Sequence, residues 1–204
     1  VSDIILVDDC SRDDTVKVAA AIPGVTVIRH PANRGYGGNQ KTCYATALER
    51  GADVVIMIHP DFQYDPSRVP QMIAPLIAGT ADMVLGSRFL EGDPRRSGMV
   101  WWRFYANRFL TKFQNLMLGT HLSECHSGYR AYTADLLRQV PFQKFSDDFA
   151  FDSQMIAAVA RRKLRIGEVA IPVRYLSDSS SISFSRSVRY GLSTLLTLMP
   201  WVRV

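Results

Sequence analysis

Residues 53–66 read DVVIMIHPDFQYDP. The apolar run Val54–Ile58, rich in β-branched residues, reads as a buried strand. The chain then presents His59, Asp61, Gln63 and Asp65 in quick succession, with Asp65 placed as the N-cap of a helix that Pro66 opens. A buried strand that ends in metal-seeking and hydrogen-bonding groups is what an open α/β sheet shows, because ligands there sit beyond the carboxyl ends of the strands. The rest of the first 89 residues keeps that rhythm. DIILVDD (3–9) is a strand ending in Asp8 and Asp9, and SRDDTVKVAAAI is a helix with Ser11 or Asp13 as N-cap candidate. VTVIRH is a second strand. The glycine-rich turn NRGYGGNQ leads into the helix QKTCYATALERG, and ADMVLGSRF is a strand ending in Ser87 and Arg88. This alternation predicts a doubly wound, mainly parallel sheet with helices on both faces.

From residue 90 the pattern changes. MVWWRFYANRFLTKFQNLMLG (99–119) has helical periodicity and puts Trp102, Phe109, Phe113 and Leu116 on one stripe, interleaved with Arg103, Arg108 and Lys112. Such a helix lies either at a bilayer interface, where it frames a lipid groove, or in the core with solvated cations. SGYRAY is a turn or short strand, DDFAFDSQMIAAVARRK a helix, and LRIGEVAIPVRY a strand with Gly167 as a candidate bulge. A serine-rich loop then precedes an amphipathic helix at 185–204. Asp148 and Asp152 are four apart, on one face if the helix contains both.

The composition is that of a folded globular chain: 204 residues, 47% hydrophobic and 21% charged, which excludes disorder. A net charge of +5 suits anionic ligands such as nucleotides, lipid phosphates or a membrane surface. No Lys/Arg run or nucleic-acid motif is present, so nucleic acid is not an expected partner. Cys10, Cys43 and Cys125 are too scattered for a disulfide framework and fit a reducing, cytoplasmic compartment. No apolar run has the length to span a bilayer. The abrupt start in a strand and the abrupt end suggest a fragment. Gly35, Gly37 and Gly38 invite a dinucleotide reading, but the third glycine of that fingerprint would fall at Gln40. His121, Cys125 and His126 lack a fourth zinc ligand and read as ordinary loop residues.

In their order and spacing, ILVDDCSRDDT, NRGYGGNQKTCYATALERGADVVIMIHPDFQYDP, VLGSRF, SGYRAY and FAFDSQMIAAVARRKLRIGEVAIPVRY resemble the family 2 glycosyltransferases of GT-A fold. The likeness is closest to the branch of dolichol-phosphate mannosyltransferases and bacterial polyprenyl-phosphate glycosyltransferases. That family usually opens with one further strand and helix, absent here. The resemblance implies one catalytic domain over 1–184, with a nucleotide-binding half (1–89) and an acceptor-binding half (90–184), followed by a membrane-proximal helix at 185–204. It implies inverting transfer of a sugar from a UDP- or GDP-sugar to a lipid phosphate or glycan acceptor, at the cytoplasmic face of a membrane with peripheral contact to it. Val7, Asp8, Asp9, Asn33, Arg34 and Gly35 would bind the nucleotide, with Asp9 at the base. Asp61 would hold Mg²⁺ or Mn²⁺, joined by His59, which stands where the family's motif has its first carboxylate. Arg88 and Arg130 would clamp the phosphates. His59, Gln63 and Tyr129 would meet the sugar or acceptor, and Asp61, Asp152 and Asp148 are the catalytic candidates, one of the last two as general base for a hydroxyl acceptor. A sugar-phosphate nucleotidyltransferase and a silent nucleotide-sugar-binding module are the alternatives.

Overall fold

β1 (Ile4–Asp8) and β2 (Val25–Arg29) pair in parallel, in register from Ile4 opposite Val25 to Asp8 opposite Arg29, and α1 (Thr15–Ala20) connects them. A second sheet has the order β3-β5-β4-β6, built from β3 (Val54–Met57), β4 (Met83–Ser87), β5 (Arg130–Thr133) and β6 (Ile166–Ala170). The computed structural model describes residues 2–90, 92–172 and 184–199, with side chains in the last segment from Tyr190 onward. The serine-rich stretch and residues 200–204 lie outside the described residues.

The α/β class read from the sequence is the one adopted, with a mixed sheet. β4 and β6 are parallel, but β5 runs antiparallel to both β3 and β4. The reason is where the chain re-enters. After α4 (Trp101–Leu118), the loop that precedes β5 sits at the carboxyl end of β4: Ser127 Oγ donates to the Gly86 carbonyl, and the Gly86 N–H donates to the Tyr129 carbonyl at 2.8 Å. A strand that starts at that end can only run back down. Because β5 lies between β3 and β4, the two halves distinguished in the sequence share one sheet.

Alternation along the strands divides the core in two. Val55, Met83, Leu85 and Tyr132 face α2 (Gly35–Glu49), α5 (Ala134–Gln139) and α6 (Ala150–Arg161), with Tyr44, Leu136, Phe151 and Met155 fully buried among them. Val84, Ala131 and Tyr129 face the other way, against Met72 and Leu76 of α3 (Val69–Ile77). Asp65 is the expected N-cap, its carboxylate accepting the Ser67 N–H at 2.9 Å. Two local expectations are corrected. α2 begins at Gly35 rather than at Gln40, so the glycine turn is its first turn. Gly167 pairs in register with Val84, so β6 has no bulge there.

Candidate active site

The end of β1 turns sharply through two carboxylates with different surroundings. Asp8 is buried; it accepts the Ser11 N–H and pairs with Arg29 at 3.6 Å, which fixes the turn. Asp9 reaches across to the start of α2. It accepts the N–H groups of Arg34 (2.8 Å) and Gly35 (2.9 Å) and lies 2.8 Å from His30 Nδ1. Burial works to raise its carboxyl, but the Arg34 N–H, the His30 contact and the Gly35 N–H outweigh that and hold it below the usual carboxylate range. Asn33 donates to the Asp9 carbonyl at 3.3 Å, and the Val7 carbonyl accepts from Asn39 at 2.8 Å. Arg34 is exposed, with its guanidinium 3.4 Å from Thr42.

The glycines of α2 serve a protein contact. Gly35 has φ +81°, and a Cβ there would stand 2.6 Å from the Asp147 carbonyl oxygen; a Cβ on Gly37 would stand 2.2 Å from that of Ser146. The N–H groups of Gly37 and Gly38 donate to the Asp147 carbonyl at 2.8 and 3.3 Å. The helix start is therefore capped by Asp9 and by residue 147, which leaves no phosphate cradle of the dinucleotide kind. Gln40, where the dinucleotide fingerprint fails, lies in the interior between Asp152 and Tyr44.

Beyond β3, Asp61 accepts the Gln63 N–H at 3.1 Å in a tight turn and is partly exposed. Phe62, next to it, has φ +59° and is 80% exposed, a left-handed backbone that costs a non-glycine residue about 1 kcal/mol or more. His59 turns inward. Its Nε2 lies 3.2 Å from Tyr36 Oη, whose proton goes to Asp152 at 2.9 Å. Tyr36 has one proton, so the contact calls for an N–H at His59 Nε2, which a neutral imidazole supplies in that tautomer. Burial lowers the pKa of His59 despite the charges of Asp152 and Asp61 nearby, which agrees. A Cβ on Gly128 would sit 2.1 Å from that Nε2; only glycine leaves the imidazole its place. With Nε2 committed to Tyr36, only Nδ1 of His59 keeps a lone pair that could meet a metal. Among the described residues no three His, Cys, Asp or Glu side chains converge on a cation site.

Other sequence expectations are placed differently by the structure. Arg130 is 1% exposed and donates to the carbonyls of Ser127, Cys125 and Asp152 at 2.9–3.0 Å, with the Asp152 carboxylate at 3.4 Å. It is an internal brace, not a phosphate clamp. Arg88 holds the fully buried Glu124 through its backbone N–H and guanidinium, and Asn107 donates to the same carboxylate at 2.8 Å. Burial alone would raise the Glu124 carboxyl, but the Arg88 charge and hydrogen bonds outweigh it and bring it below its ordinary value. Tyr129 is fully buried, packs on Tyr64 with ring centroids 5.5 Å apart, and donates to the Asp65 carbonyl at 3.3 Å. It supports the 59–66 loop from below and does not face a sugar. Asp148 precedes α6 and is exposed, whereas Asp152 lies inside the helix and is buried, so the two do not share a helical face.

The structure does bring several residues together. A cleft of about 380 Å³ is lined by Asp9, Asn33, Gly35, Tyr36, Asp148 and Phe149, with Tyr190 and Ser193 of α7 (Phe184–Thr197) on its far side. Tyr36 joins this cleft to the Asp61 turn, since its ring stacks on Phe149 (4.9 Å) and on His59 (5.5 Å). Tyr36, Phe62, Glu124 and Gly128 were not singled out from the sequence. The available signals were the aromatic inside the glycine turn and the Ser-Gly pair before β5.

His126 provides a pH test. Its Nε2 is buried without a partner among the described residues, its Nδ1 is 2.7 Å from Tyr190 Oη, and burial pushes its imidazole down to about 4. An unfolded histidine titrates near 6.5, so the unfolded chain takes up a proton that the folded chain refuses, and stability falls as pH drops from about 6.5 to 4, by about 3 kcal/mol. Urea unfolding across that window should show the decline, and His126→Gln should flatten it relative to the parent chain.

Comparison with known proteins agrees with this geometry. The family description Glycosyl transferase family 2 matches residues 2–140. An undecaprenyl-phosphate mannosyltransferase of Micrococcus luteus is 33% identical over 83% of this chain and 71% of its own length. A UDP-N-acetylglucosamine–dolichyl-phosphate N-acetylglucosaminyltransferase of Methanococcus voltae is 26% identical over 96% of this chain and 83% of its own. Among solved structures, the glucosyl-3-phosphoglycerate synthase of Mycobacterium tuberculosis, crystallised with Mn²⁺, UDP-glucose and phosphoglyceric acid, superposes with a TM-score of 0.72 over 97% of this chain and 68% of that one, at 22% identity. A mixed α/β sheet with carboxylates gathered at its strand ends, matched by that family over most of its length, places the chain in glycosyl transferase family 2, as a glycosyltransferase of the GT-A fold.

Proposed function

We propose that this chain moves a hexose from a nucleoside-diphosphate donor to a polyprenyl phosphate, with inversion at the anomeric carbon. The observation that carries the reading is the cleft where Asp9, Asn33 and Gly35 stand on one wall and Tyr36 connects to the Asp61 turn. The names of the Micrococcus and Methanococcus relatives support a lipid phosphate as acceptor. Residues 1–184 would form the catalytic domain, at the cytoplasmic face of a membrane.

Asp9 stays anionic, and its Oδ2 accepts from Gly35 alone of the backbone donors, so it can take an N–H from a uracil or guanine base. Asn33 and Gly35 line the same wall. Asp61 fits the hard-cation mode in which Mg²⁺ or Mn²⁺ takes one protein carboxylate together with the substrate's own phosphate oxygens. When bound there, the cation would neutralise charge developing on the departing diphosphate. Gln63 fixes the Asp61 carboxylate through its N–H. A lipid phosphate is already ionised near neutral pH and needs no proton removed. That matches Asp152, which is buried and tied to Tyr36, Gln40 and Arg130: it orients Tyr36 at the cleft wall and takes no proton. Asp148, exposed at the cleft edge, is the carboxylate that a hydroxyl acceptor would meet.

Calorimetry of UDP and of GDP, each with and without Mn²⁺, tests the donor half. One nucleotide should bind more tightly with Mn²⁺, and chelation should reverse the gain. Binding indifferent to the metal would remove the cation from the scheme, and failure of both nucleotides to bind would remove the donor.

A further inference from the structure

Three donors hold the Asp9 carboxylate in one orientation at the cleft wall. Its Oδ1 accepts the Arg34 N–H at 2.8 Å and faces His30 Nδ1 at 2.8 Å, and its Oδ2 accepts the Gly35 N–H at 2.9 Å. His30 directly follows β2 and is buried, with its backbone N–H donating to the Asp8 carbonyl at 2.9 Å. A carboxylate only accepts, so Nδ1 carries a proton whether the ring is neutral or charged. On the other side of the ring, Nε2 lies 2.9 Å from Thr42 Oγ1, which fixes the imidazole between α2 and Asp9. An ionised carboxylate has about four lone-pair sites, two on each oxygen. Arg34 and His30 take both sites of Oδ1, and Gly35 takes one of Oδ2. One acceptor site remains, on a side chain that lines the cleft and keeps 19% of its surface exposed. Beside it, Asn33 spends one amide proton on the Asp9 carbonyl at 3.3 Å, and its amide nitrogen carries a second.

The bases differ in what they offer such a site. Uracil presents one imide N–H between two carbonyls, so the open site of Oδ2 takes its proton and the second Asn33 proton suits a flanking carbonyl. Guanine presents two donors side by side, at N1 and at the 2-amino group, and a carboxylate meets that pair only with both oxygens. With Oδ1 filled, one guanine donor is left unpaired against the wall, and a buried donor without a partner is what makes a polar site reject a near-match. We propose that His30 sets the base specificity of the donor site: by filling Oδ1 of Asp9 it leaves the base a single acceptor and selects a uridine diphosphate sugar over a guanosine one. His30 acts through Asp9 and is a positioning residue. The inference rests on the nucleoside-diphosphate reading above and separates two bases that an aspartate with both oxygens open accepts alike.

The test is calorimetry with UDP, GDP, inosine diphosphate and N3-methyl-UDP at one Mn²⁺ concentration, so that the shared diphosphate contributes equally. Hypoxanthine keeps the purine ring and N1–H of guanine without the 2-amino group, which separates ring size from donor count. UDP should bind about tenfold or more tighter than GDP, inosine diphosphate about tenfold tighter than GDP, and N3-methyl-UDP about 100-fold weaker than UDP. His30→Leu leaves one backbone N–H on each Asp9 oxygen, so the carboxylate can turn and share both with the cleft; the preferences for UDP and for inosine diphosphate over GDP should shrink to within about threefold. His30→Asn, whose side-chain amide stands near the Nδ1 position and still donates, should keep both preferences. In either variant Thr42 Oγ1 retains the Gly38 carbonyl at 3.3 Å. GDP binding as tightly as UDP, GDP binding more tightly than inosine diphosphate, or both preferences unchanged in a folded His30→Leu overturns the proposal. The four nucleotides on the parent chain decide how many acceptors are open even where a variant does not fold. If none of them binds, the donor reading fails and the specificity falls with it, whereas GDP binding above UDP overturns the specificity and leaves the donor reading standing.

Discussion

Arg130→Met should lose about 3–5 kcal/mol of folding stability, a large part of what holds a domain of this size together. The side chain is 1% exposed and satisfies three carbonyls, at Ser127, Cys125 and Asp152, as well as facing the Asp152 carboxylate. Methionine fills much of the volume but offers no donor. The variant would leave a buried carboxylate without its cation and three carbonyls without the guanidinium N–H groups, and stranded groups of this kind cost far more than an intact pair contributes. Because Asp152 also holds Tyr36 and Gln40, the damage reaches the cleft wall. Thermal unfolding should drop by about 6–20 °C. Asp152→Asn in the same background should recover part of the loss, since it removes the stranded charge and keeps an acceptor for Tyr36. A loss below about 1 kcal/mol, or no recovery in the double variant, would mean that water or another group replaces the guanidinium and that the brace is not what orders this region.

What the sequence disclosed and what it hid divides along the distance between partners. The strands were legible because a short apolar run with a polar end is a local pattern, and Asp65 was legible as a cap because its partner, Ser67, is two residues away. The true start of α2 was not, because glycine disfavours helix on its own, and the acceptor for the Gly37 and Gly38 N–H groups is the Asp147 carbonyl, more than a hundred residues downstream. The partners of the two arginines were hidden in the same way. An arginine at a strand end shows its charge in the sequence but not its counter-ion, and here Glu124 and Asp152 supply it from other elements. Tyr129, which the family resemblance puts at the sugar or acceptor, directly precedes β5 and packs on the α3 side of the core. For the helix at 99–119, periodicity puts Trp102 and Phe113 on a stripe with Phe109 and Leu116, but with Asn107, Thr111 and Gln114 packed inward the exposed residues are Trp101, Tyr105, Phe109 and Leu116, and Trp102 and Phe113 are half-buried.

Asp61→Asn should reduce turnover about 100- to 1,000-fold, as expected when a charge that positions a catalytic cation is removed, while stability changes by no more than about 0.5 kcal/mol. The substitution is chosen because it separates the two things the side chain does. The amide oxygen can still accept the Gln63 N–H, which the carboxylate takes at 3.1 Å, so the turn after β3 and the unusual backbone at Phe62 are retained. The negative charge, which makes a carboxylate a far stronger ligand for a hard divalent ion than an amide oxygen, is gone. Metal-free nucleotide affinity should therefore match that of the parent chain, because Asp9, Asn33 and Gly35 are untouched, and the gain on adding Mn²⁺ should vanish. The pattern matters more than the size of the loss. Near-normal turnover in the variant would rule out Asp61 as the cation's anchor. Loss of activity together with loss of metal-free nucleotide binding or a fall in melting temperature would assign it to the loop's architecture. Only an intact fold with intact metal-free binding, combined with lost metal response and lost turnover, ties the chemistry to this one carboxylate at the end of β3.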